Sequence, residues 1–335
     1  MALFEKDQTR RQFIKNLAVS SMALVVGCSK VSTSPDPDDT INPDPDPLPK
    51  TQISLIKTTD RSQGVHAVLE MLEFPSMNSK HVVLKPNFNT ADPPPASTHN
   101  DTLRQLVLEI QNRQASAITL AERSYQNFND VILQKGIEEM SNEMGFAIQN
   151  LENDEFSVFN LSGLHWQNGF RLPQTIAEAE YIVSTCCLKT HHAGIITMSL
   201  KLSVGVLPSL HMQELHGSSL INSMIAEINL AYKPDLIVMD GIKTFISGGP
   251  SQGTVKDGNV IVAGTDRIAI DVVGTAILKD LGSARVSGKI FELEQIQRAR
   301  ELNLGIKQPD QIEFITGDQE SLEYAERLNA IIANG

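Results

Sequence analysis

Lysine and histidine residues concentrate in one short part of the chain. The sequence has eight histidines among 335 residues, and four of them fall between Lys189 and His216. Histidines with a carboxylate and an open position suit zinc, nickel or iron, whereas lysine suits an anion or a covalent intermediate. Alternate residues of an extended segment share a face, so we expect Lys189 and His191 to point one way and His192 the other. The residues predicted to be catalytic are Lys189, His191, Lys201 and His211.

Polar residues also follow most of the predicted strands. Ligands of a parallel α/β sheet bind at the carboxyl ends of its strands, and those ends meet at one edge. Five segments occupy such positions: Lys85-Pro86-Asn87, Glu122-Arg123-Ser124, Lys189-Thr190-His191-His192, Asp240-Gly241 and Gly264-Thr265-Asp266. We therefore expect one site at this edge, with ligand-binding residues Lys85, Asn87, Asp240 and Gly249.

Two of these residues have a structural interpretation as well as a functional one. Asp240 suits either a divalent metal that it shares with His191 and His211, or an Asx turn at the end of its strand. Gly249 lies in a glycine-rich turn whose N–H groups suit an anion, although most such turns simply close a hairpin. Both alternatives remain open at the level of sequence.

Two further aspartates lie at or near the start of a predicted helix that begins at Arg267. Asp266 immediately precedes this helix and is predicted to be its N-cap. Asp271 falls one turn into the helix on a side expected to face the sheet. A buried carboxylate needs a partner, and a lysine of the site is one option.

Short β-branched runs alternate with longer amphipathic segments from residue 51 onward. The predicted strands are 53–57, 81–85, 115–121, 181–185, 236–239, 260–263 and 312–315, and the predicted helices are 63–73, 101–113, 220–231, 267–279 and 291–302. This alternation predicts an α/β domain over residues 51–335, with a mostly parallel sheet and helices on both faces.

Three motifs resemble the domain-of-unknown-function family numbered 362 (DUF362). They are LKPNFN (84–89), LKTHHAGIITMSLKLSVGVLP (188–208), and MDGIKTFISGGPSQGTV (239–255) followed by VIVAGTDRIAIDVVG (260–274). The family often has Asn after the second lysine, where this chain has Leu202. Many relatives carry ferredoxin-like cluster motifs that this sequence lacks, so the resemblance implies that any redox role requires a separate partner.

Composition excludes several classes of function. The net charge is −12, and no basic patch is interleaved with aromatic residues, so we expect no nucleic-acid partner. The sequence has three cysteines, too few for an iron–sulfur cluster or a zinc ribbon within this chain. Cys186 and Cys187 lie in an apolar run and are predicted to be buried thiols.

The N-terminal segment has the features of an export signal. Thr9 to Lys15 reads TRRQFIK, and the pair Arg10 and Arg11 precedes a short apolar run, which resembles a twin-arginine signal peptide over residues 1–27. Val25-Val26-Gly27-Cys28 resembles a bacterial lipobox, which predicts lipidation of Cys28; the alternative is ordinary cleavage that leaves a free or disulfide-linked Cys28. Residues 28–50 are rich in Pro and Asp and are predicted to be a disordered linker.

These features predict a lipid-anchored protein on the periplasmic side of a membrane after twin-arginine export. Its α/β domain is expected to be an enzyme that acts on a small anionic molecule through a Lys/His site, with or without a divalent metal. The alternative is a non-catalytic lipoprotein that binds a metal or an anion.

Overall fold

The computed structural model describes residues 49–335. The predicted signal with Arg10 and Arg11, the predicted lipidation site Cys28, and all but the end of the predicted linker lie outside the described residues.

Twelve strands are present in the described part of the chain. They are β1 (Thr51–Lys57), β2 (His81–Lys85), β3 (Ala117–Glu122), β4 (Ala147–Asn150), β5 (Phe156–Phe159), β6 (Phe170–Pro173), β7 (Tyr181–His191), β8 (Ile195–Thr197), β9 (Leu236–Gly248), β10 (Gly253–Asp257), β11 (Val260–Gly264) and β12 (Ile312–Thr316). Strands β5 and β6 form a separate antiparallel pair, and the others form one ten-stranded sheet.

The large sheet has the strand order β12-β1-β11-β9-β7-β2-β3-β4, with β8 paired to β7 and β10 paired to β9. Strands β9, β7, β2, β3 and β4 are mutually parallel, as are β1 and β12. Strand β11 runs antiparallel to both of its neighbours, β1 and β9. The carboxyl ends of β2, β3 and β7 therefore meet at one edge, while that of β11 lies at the opposite edge.

Eleven α-helices accompany the strands in the described part of the chain. They are α1 (Arg61–Met71), α2 (Asn100–Asn112), α3 (Phe128–Gln134), α4 (Ile137–Met144), α5 (Gln174–Ala177), α6 (Ser199–Leu202), α7 (Met212–Gly217), α8 (Ile221–Ile228), α9 (Arg267–Asp280), α10 (Glu294–Glu301) and α11 (Gln319–Asn334).

Apolar residues of the sheet alternate between two cores. In β9, Leu236 and Val238 pack with helices α1 to α4, whereas Ile237 and Met239 pack with α9, α10 and α11. A third cluster places Ile182 of β7 against Trp166 and the apolar side of α8. The predicted α/β fold, with a mostly parallel sheet and helices on both faces, is confirmed.

Every predicted strand and helix is present, but several boundaries differ. The strand predicted at 236–239 continues to Gly248, because it forms a hairpin with β10 beyond the parallel sheet. Helix α2 begins at Asn100, one residue before the predicted start, and is capped by His99, whose Nδ1 accepts the Asp101 N–H at 3.1 Å. The long helix α11 was not among the predicted elements.

No helix within residues 49–335 has both the length and the apolar character needed to cross a membrane.

Candidate functional site

A pocket of about 510 Å³ opens where β2, β3 and β7 end. Its walls combine residues from these strand ends, from the segment around α6, and from the β9–β10 turn. The lining residues are Lys85, Asn87, Asn89, Thr90, Glu122, Arg123, Tyr125, Lys189, His191, His192, Thr197, Lys201, Leu202, Val204, Gly205, Met212, His216, Pro250 and Ser251.

Lys85 lies in the pocket wall as half of a buried ion pair. Its Nζ donates to Glu122 Oε1 at 2.6 Å and to the Pro86 carbonyl at 2.9 Å. Glu122 also accepts the N–H groups of Phe88 and Arg123, each at 2.8 Å. Burial lowers the pKa of Lys85, and the contact with Glu122 opposes that effect. Lys85 therefore already has a counter-ion within the protein.

The backbone of Gly205 passes very close to this ion pair. A Cβ at this position would lie 2.8 Å from Lys85 Nζ and 2.7 Å from Glu122 Oε1. The absence of a side chain at Gly205 thus leaves room for this buried ion pair.

Lys189 is almost fully buried and is held by neutral oxygens. Its Nζ donates to Asn87 Oδ1 at 2.9 Å and to the Ala96 carbonyl, and Asn87 is fixed in turn because its N–H donates to Thr98 Oγ1 at 2.8 Å. Burial lowers the pKa of Lys189. Among the described residues no carboxylate lies within ion-pair distance of Lys189, so its amine has no counter-ion there.

Lys201 projects into the pocket from α6. Its Nζ has no hydrogen-bond partner among the described residues, and only 9% of the residue is exposed. Burial, followed by the nearby charges of Lys189 and Arg123, lowers the pKa of Lys201 to about 8. Its stem passes over Gly194, where an added Cβ would lie 2.9 Å from Lys201 Cε. At pH 7 roughly a tenth of this amine is therefore unprotonated.

His191 is fixed by the turn that follows β7. Its Nδ1 accepts the N–H groups of Ala193 and Gly194, both at 3.0 Å, so the neutral ring carries its proton on Nε2. Burial, and then the charge of Lys201, lower the pKa of His191 to about 2. His191 therefore offers the pocket a neutral N–H donor.

The prediction that His192 points away from His191 is wrong. The two rings stack with centroids 4.7 Å apart and planes 18° apart, and both residues line the pocket. The alternation of a strand does not apply because β7 ends at His191, and His192 begins the turn. Its N–H and Nδ1 both contact the Gly249 carbonyl.

The structure does not bring His191, His211 and Asp240 together as a metal site. His211 Nε2 accepts the Arg171 N–H at 2.9 Å, and its ring packs edge-on against Trp166 outside the pocket lining. In His191, a metal on Nε2 would require Nδ1 to give up its acceptor role toward two backbone N–H groups.

The side chain of Asp240 contacts residues outside the pocket lining. Its strand, β9, continues beyond it to Gly248, so Asp240 does not lie at a strand end. It forms an ion pair with Arg61 Nε at 2.7 Å and accepts from Thr102 Oγ1 at 2.9 Å. Its other oxygen accepts the Ile242 N–H at 3.1 Å, which is the contact of an Asx turn. The structural interpretation of Asp240 therefore fits these contacts.

Within residues 49–335 one group of three potential metal ligands lies close together, formed by His66, Glu70 and Glu109. None of the three lines the pocket. Arg113 contacts both carboxylates, so these residues form a salt-bridge cluster.

Gly249 shapes the β9–β10 turn. Its φ is +74°, and a Cβ there would lie 2.0 Å from the Thr190 carbonyl oxygen. Its N–H donates to the Gln252 carbonyl at 2.6 Å, so that group closes the turn instead of facing an anion. The next two residues, Pro250 and Ser251, are the ones that line the pocket.

Asp266, immediately before α9, and Asp271, within α9, both form structural contacts. Asp266 caps the helix as predicted, accepting the N–H groups of Ile268 and Ala269 at 2.8 and 2.9 Å. Asp271 accepts the N–H groups of Ser199 and Leu200 at 2.7 and 3.2 Å, so its partner is the start of α6 and not a lysine. Asp271 thus anchors the segment that carries Lys201.

Cys186 and Cys187 are buried free thiols, as predicted. Burial raises the pKa of Cys187 to about 11 and that of Cys186 well above its usual value. Both thiols therefore stay protonated and poorly nucleophilic at neutral pH.

Five of the predicted site residues line the pocket, namely Lys85, Asn87, Lys189, His191 and Lys201. Glu122 and Arg123 also line the pocket although neither is among the predicted site residues, and their position at the end of β3 was the signal for both. Tyr125, whose side chain is 81% exposed at the pocket rim, carries no such signal, because a lone aromatic in a loop has no distinguishing pattern.

Four cationic side chains and one carboxylate line the same pocket. The cations are Lys85, Lys189, Lys201 and Arg123, the carboxylate is Glu122, and His191 is neutral. These residues define an α/β protein with a buried lysine-rich pocket at the carboxyl ends of its central strands.

Comparison with known proteins identifies the family. The family described as "Domain of unknown function (DUF362)" matches residues 82–276, more than half of the chain and a range that includes every residue lining the pocket. The chain belongs to this family. It is also similar to the thylakoid-associated protein sll1697 of Synechocystis sp. (strain ATCC 27184 / PCC 6803 / Kazusa), with 29% identity over 117 residues; the match covers 33% of this chain and 36% of the relative.

Proposed function

We propose that the pocket binds a small organic anion and that Lys201 and His191 act on it chemically. The observation that carries this proposal is the amine of Lys189, which is buried against neutral oxygens without a contacting carboxylate. A buried charge that lacks a counter-ion is costly, and an anionic ligand would supply one.

The two acting residues have complementary roles. The Lys201 amine, with a pKa near 8, is both a proton acceptor and a nucleophile at neutral pH. The His191 Nε2–H, held by the contacts of Nδ1, is a neutral donor toward an oxygen that gains negative charge. This assignment needs no metal, and His211 and Asp240 have no part in it.

Anion binding can be tested on the purified full chain by calorimetric titration with succinate. Lys189→Met should weaken binding by roughly tenfold or more, equivalent to about 1.4 kcal/mol. Lys243→Met is the matched control, because Lys243 is an exposed partner of Asp257 outside the pocket. Equal affinities of wild type and Lys189→Met would reject the site.

The second candidate function is binding without catalysis, and the same uncompensated Lys189 supports it. The two candidates differ in the need for a free amine at Lys201. Proton NMR of a mixture of 2-oxo and 2-hydroxy carboxylates, followed over time, would show consumption with wild type and none with Lys201→Arg if the protein is an enzyme. Unchanged spectra with a bound component would favour the binder.

We also propose twin-arginine export followed by lipid anchoring at Cys28 on the periplasmic side. The proposal rests on Arg10-Arg11 ahead of a short apolar run and on the lipobox-like residues before Cys28. The Synechocystis relative is named as thylakoid-associated, which supports a membrane-linked location for this chain.

Cell fractionation tests this location. Replacing Arg10 and Arg11 with lysine keeps the charge and should retain the protein in the cytoplasm. Cys28→Ala should abolish labelling by radioactive palmitate. Periplasmic protein from the double-lysine variant would refute the export route, and persistent labelling of Cys28→Ala would refute the attachment site.

A further inference from the structure

We propose that Lys201 forms a Schiff base with an oxo acid, a small molecule that carries both a carboxylate and an aldehyde or ketone. This inference rests on the proposed anion site and assigns its substrate class. It also gives the three pocket lysines different tasks.

Two of the lysines are already engaged through their amines. Lys85 Nζ contacts Glu122 at 2.6 Å, and Lys189 Nζ contacts Asn87 Oδ1 at 2.9 Å as well as the Ala96 carbonyl. Lys201 Nζ has no such partner among the described residues, although it belongs to the same pocket. Only this amine is free to form a bond without first breaking a contact.

The surroundings of Lys201 favour the neutral amine that such a reaction needs. Its stem lies on Gly194, and burial together with the charges of Lys189 and Arg123 lowers its pKa. A desolvated lysine beside another cation is an established arrangement for an imine-forming nucleophile. The same two cations would bind the carboxylate of the oxo acid and so direct its carbonyl toward Lys201.

The step balances without an added oxidant or reductant. The amine nitrogen attacks the carbonyl carbon, a C–N bond forms, and the carbonyl oxygen takes up a proton to give a carbinolamine. The C–O bond then breaks and water leaves. The overall change converts an ammonium ion and a carbonyl into a protonated imine and one water molecule.

Reductive trapping with glyoxylate tests the proposal on the purified full chain. Borohydride would deliver hydride to the imine and fix the adduct as a secondary amine, which peptide mass spectrometry locates. We expect Lys201 to be labelled at pH 7 at least about tenfold faster than the exposed Lys289, because a pKa near 8 leaves far more free amine than the usual value of about 10.4. Acetaldehyde, which lacks a carboxylate, should show much less preference for Lys201.

Matched variants separate this inference from the anion site itself. Lys201→Arg should lose the adduct, because a guanidinium does not form the imine, whereas the control Lys243→Met should keep both the adduct and succinate binding. Gly194→Ala should move the lysine stem and slow trapping. Succinate should protect Lys201 of the wild type.

The possible failures are also distinct. Succinate binding without any adduct at Lys201 would overturn the Schiff-base assignment and leave the anion site standing. Labelling of Lys201 no faster than Lys289 would likewise overturn it. If the wild type shows neither succinate binding nor trapping of glyoxylate at Lys201, the proposed function is overturned as well.

Discussion

Each of the three pocket lysines has different neighbours, and these neighbours set its protonation. Lys85 has a carboxylate, Lys189 has two neutral oxygens, and Lys201 has no hydrogen-bond partner among the described residues. Burial and the nearby charges of Lys189 and Arg123 lower the pKa of the unpartnered Lys201 to about 8. The chemistry of the pocket is thus a consequence of which oxygen atoms reach each amine.

Anion affinity should depend on pH through Lys201. Its pKa is lowered to about 8, so its charge is present below that pH and is lost above it. We expect succinate affinity to be constant from pH 6 to 7 and to fall above pH 8, at most about tenfold per pH unit. Titration calorimetry at several pH values checks this. Lys201→Arg should remove the decline at pH 8 to 9, and a persistent decline would assign it to another group.

The acceptor role of His191 can be separated from its donor role. His191→Ala leaves the Ala193 and Gly194 N–H groups without their acceptor, which should cost about 1–3 kcal/mol of stability. His191→Asn places an oxygen close to the position of Nδ1 and removes Nε2–H. We expect thermal melts to show His191→Asn closer to wild type than His191→Ala, with succinate binding weakened in both. Equal melting temperatures for the two variants would refute the acceptor role.

Sequence reasoning identified the lysines of the pocket more reliably than its other members. Lys85, Lys189 and Lys201 lie in motifs around strand ends, and strand direction alone brings the first two together. The contacts that distinguish their amines come from Glu122 and from the carbonyl of Ala96, which are distant in sequence. No local pattern encodes such pairings, so the sequence indicated which residues meet but not which amine stays free.

At the scale of elements, one carboxylate determines where α6 begins. Asp271 of α9 accepts two N–H groups from the start of α6, the helix that carries Lys201. Burial raises the pKa of Asp271 to about 7, and these hydrogen bonds oppose the effect. A buried side chain of one helix therefore positions a pocket residue of another.

This arrangement predicts a pH-dependent stability difference between wild type and Asp271→Asn. A folded pKa of about 7 lies above the ordinary value of 3.8, so the contribution of Asp271 is fully present below pH 3.8 and is lost as pH rises through 7. The stability of wild type relative to the variant should fall between pH 4 and 7, by at most about 1.4 kcal/mol per pH unit, and level off above. Thermal melts across this range measure the difference. Parallel curves would exclude Asp271 as the titrating group.

The β9–β10 turn should not tolerate a side chain at Gly249. Gly249→Ala combines a positive φ with a Cβ 2.0 Å from the Thr190 oxygen, and it should also displace the pocket residues Pro250 and Ser251. Gly136→Ala is the control, because its φ is also positive but a Cβ there meets no atom within 4 Å. We expect about 1–2 kcal/mol of destabilisation for the control and more for Gly249→Ala, measured by urea unfolding. Similar losses of unfolding free energy in the two variants would show that the backbone around Gly249 moves without cost to accommodate the added Cβ.

The positions of the strand ends were predictable for the strands that are parallel and buried. Strands β2, β3 and β7 delivered their polar ends to one pocket, as expected. Strand β11 did not, because its antiparallel direction places Asp266 at the other edge of the sheet. A short run of apolar residues such as VIVAG fixes a buried strand but carries no information on its direction.

At the scale of the whole molecule, the two faces of the sheet should unfold together. Leu55 of β1 is fully buried between β11 and β12, and Trp166, the single tryptophan, packs in a separate cluster near the pocket side. Leu55→Ala should cost about 2–5 kcal/mol, whereas Val255→Ala on the exposed strand β10 should cost far less. Tryptophan fluorescence and far-ultraviolet circular dichroism should give coincident transitions in wild type and in both variants. Separate transitions would divide residues 51–335 into two units.

The position of β1 also has a consequence for the order in which the protein is completed. This strand is an early one in the chain, yet its two neighbours in the sheet, β11 and β12, are the last strands to be synthesised. Pairing across such a separation requires closure of a long loop, which slows folding. Until the ribosome has released β11, neither edge of β1 has its partner, and one edge stays unpaired until β12 follows; an unpaired strand edge invites association with other chains. A nascent chain therefore has to keep β1 out of intermolecular contacts throughout most of translation, and a chaperone that binds extended apolar segments would recognise Thr51–Lys57 during that interval.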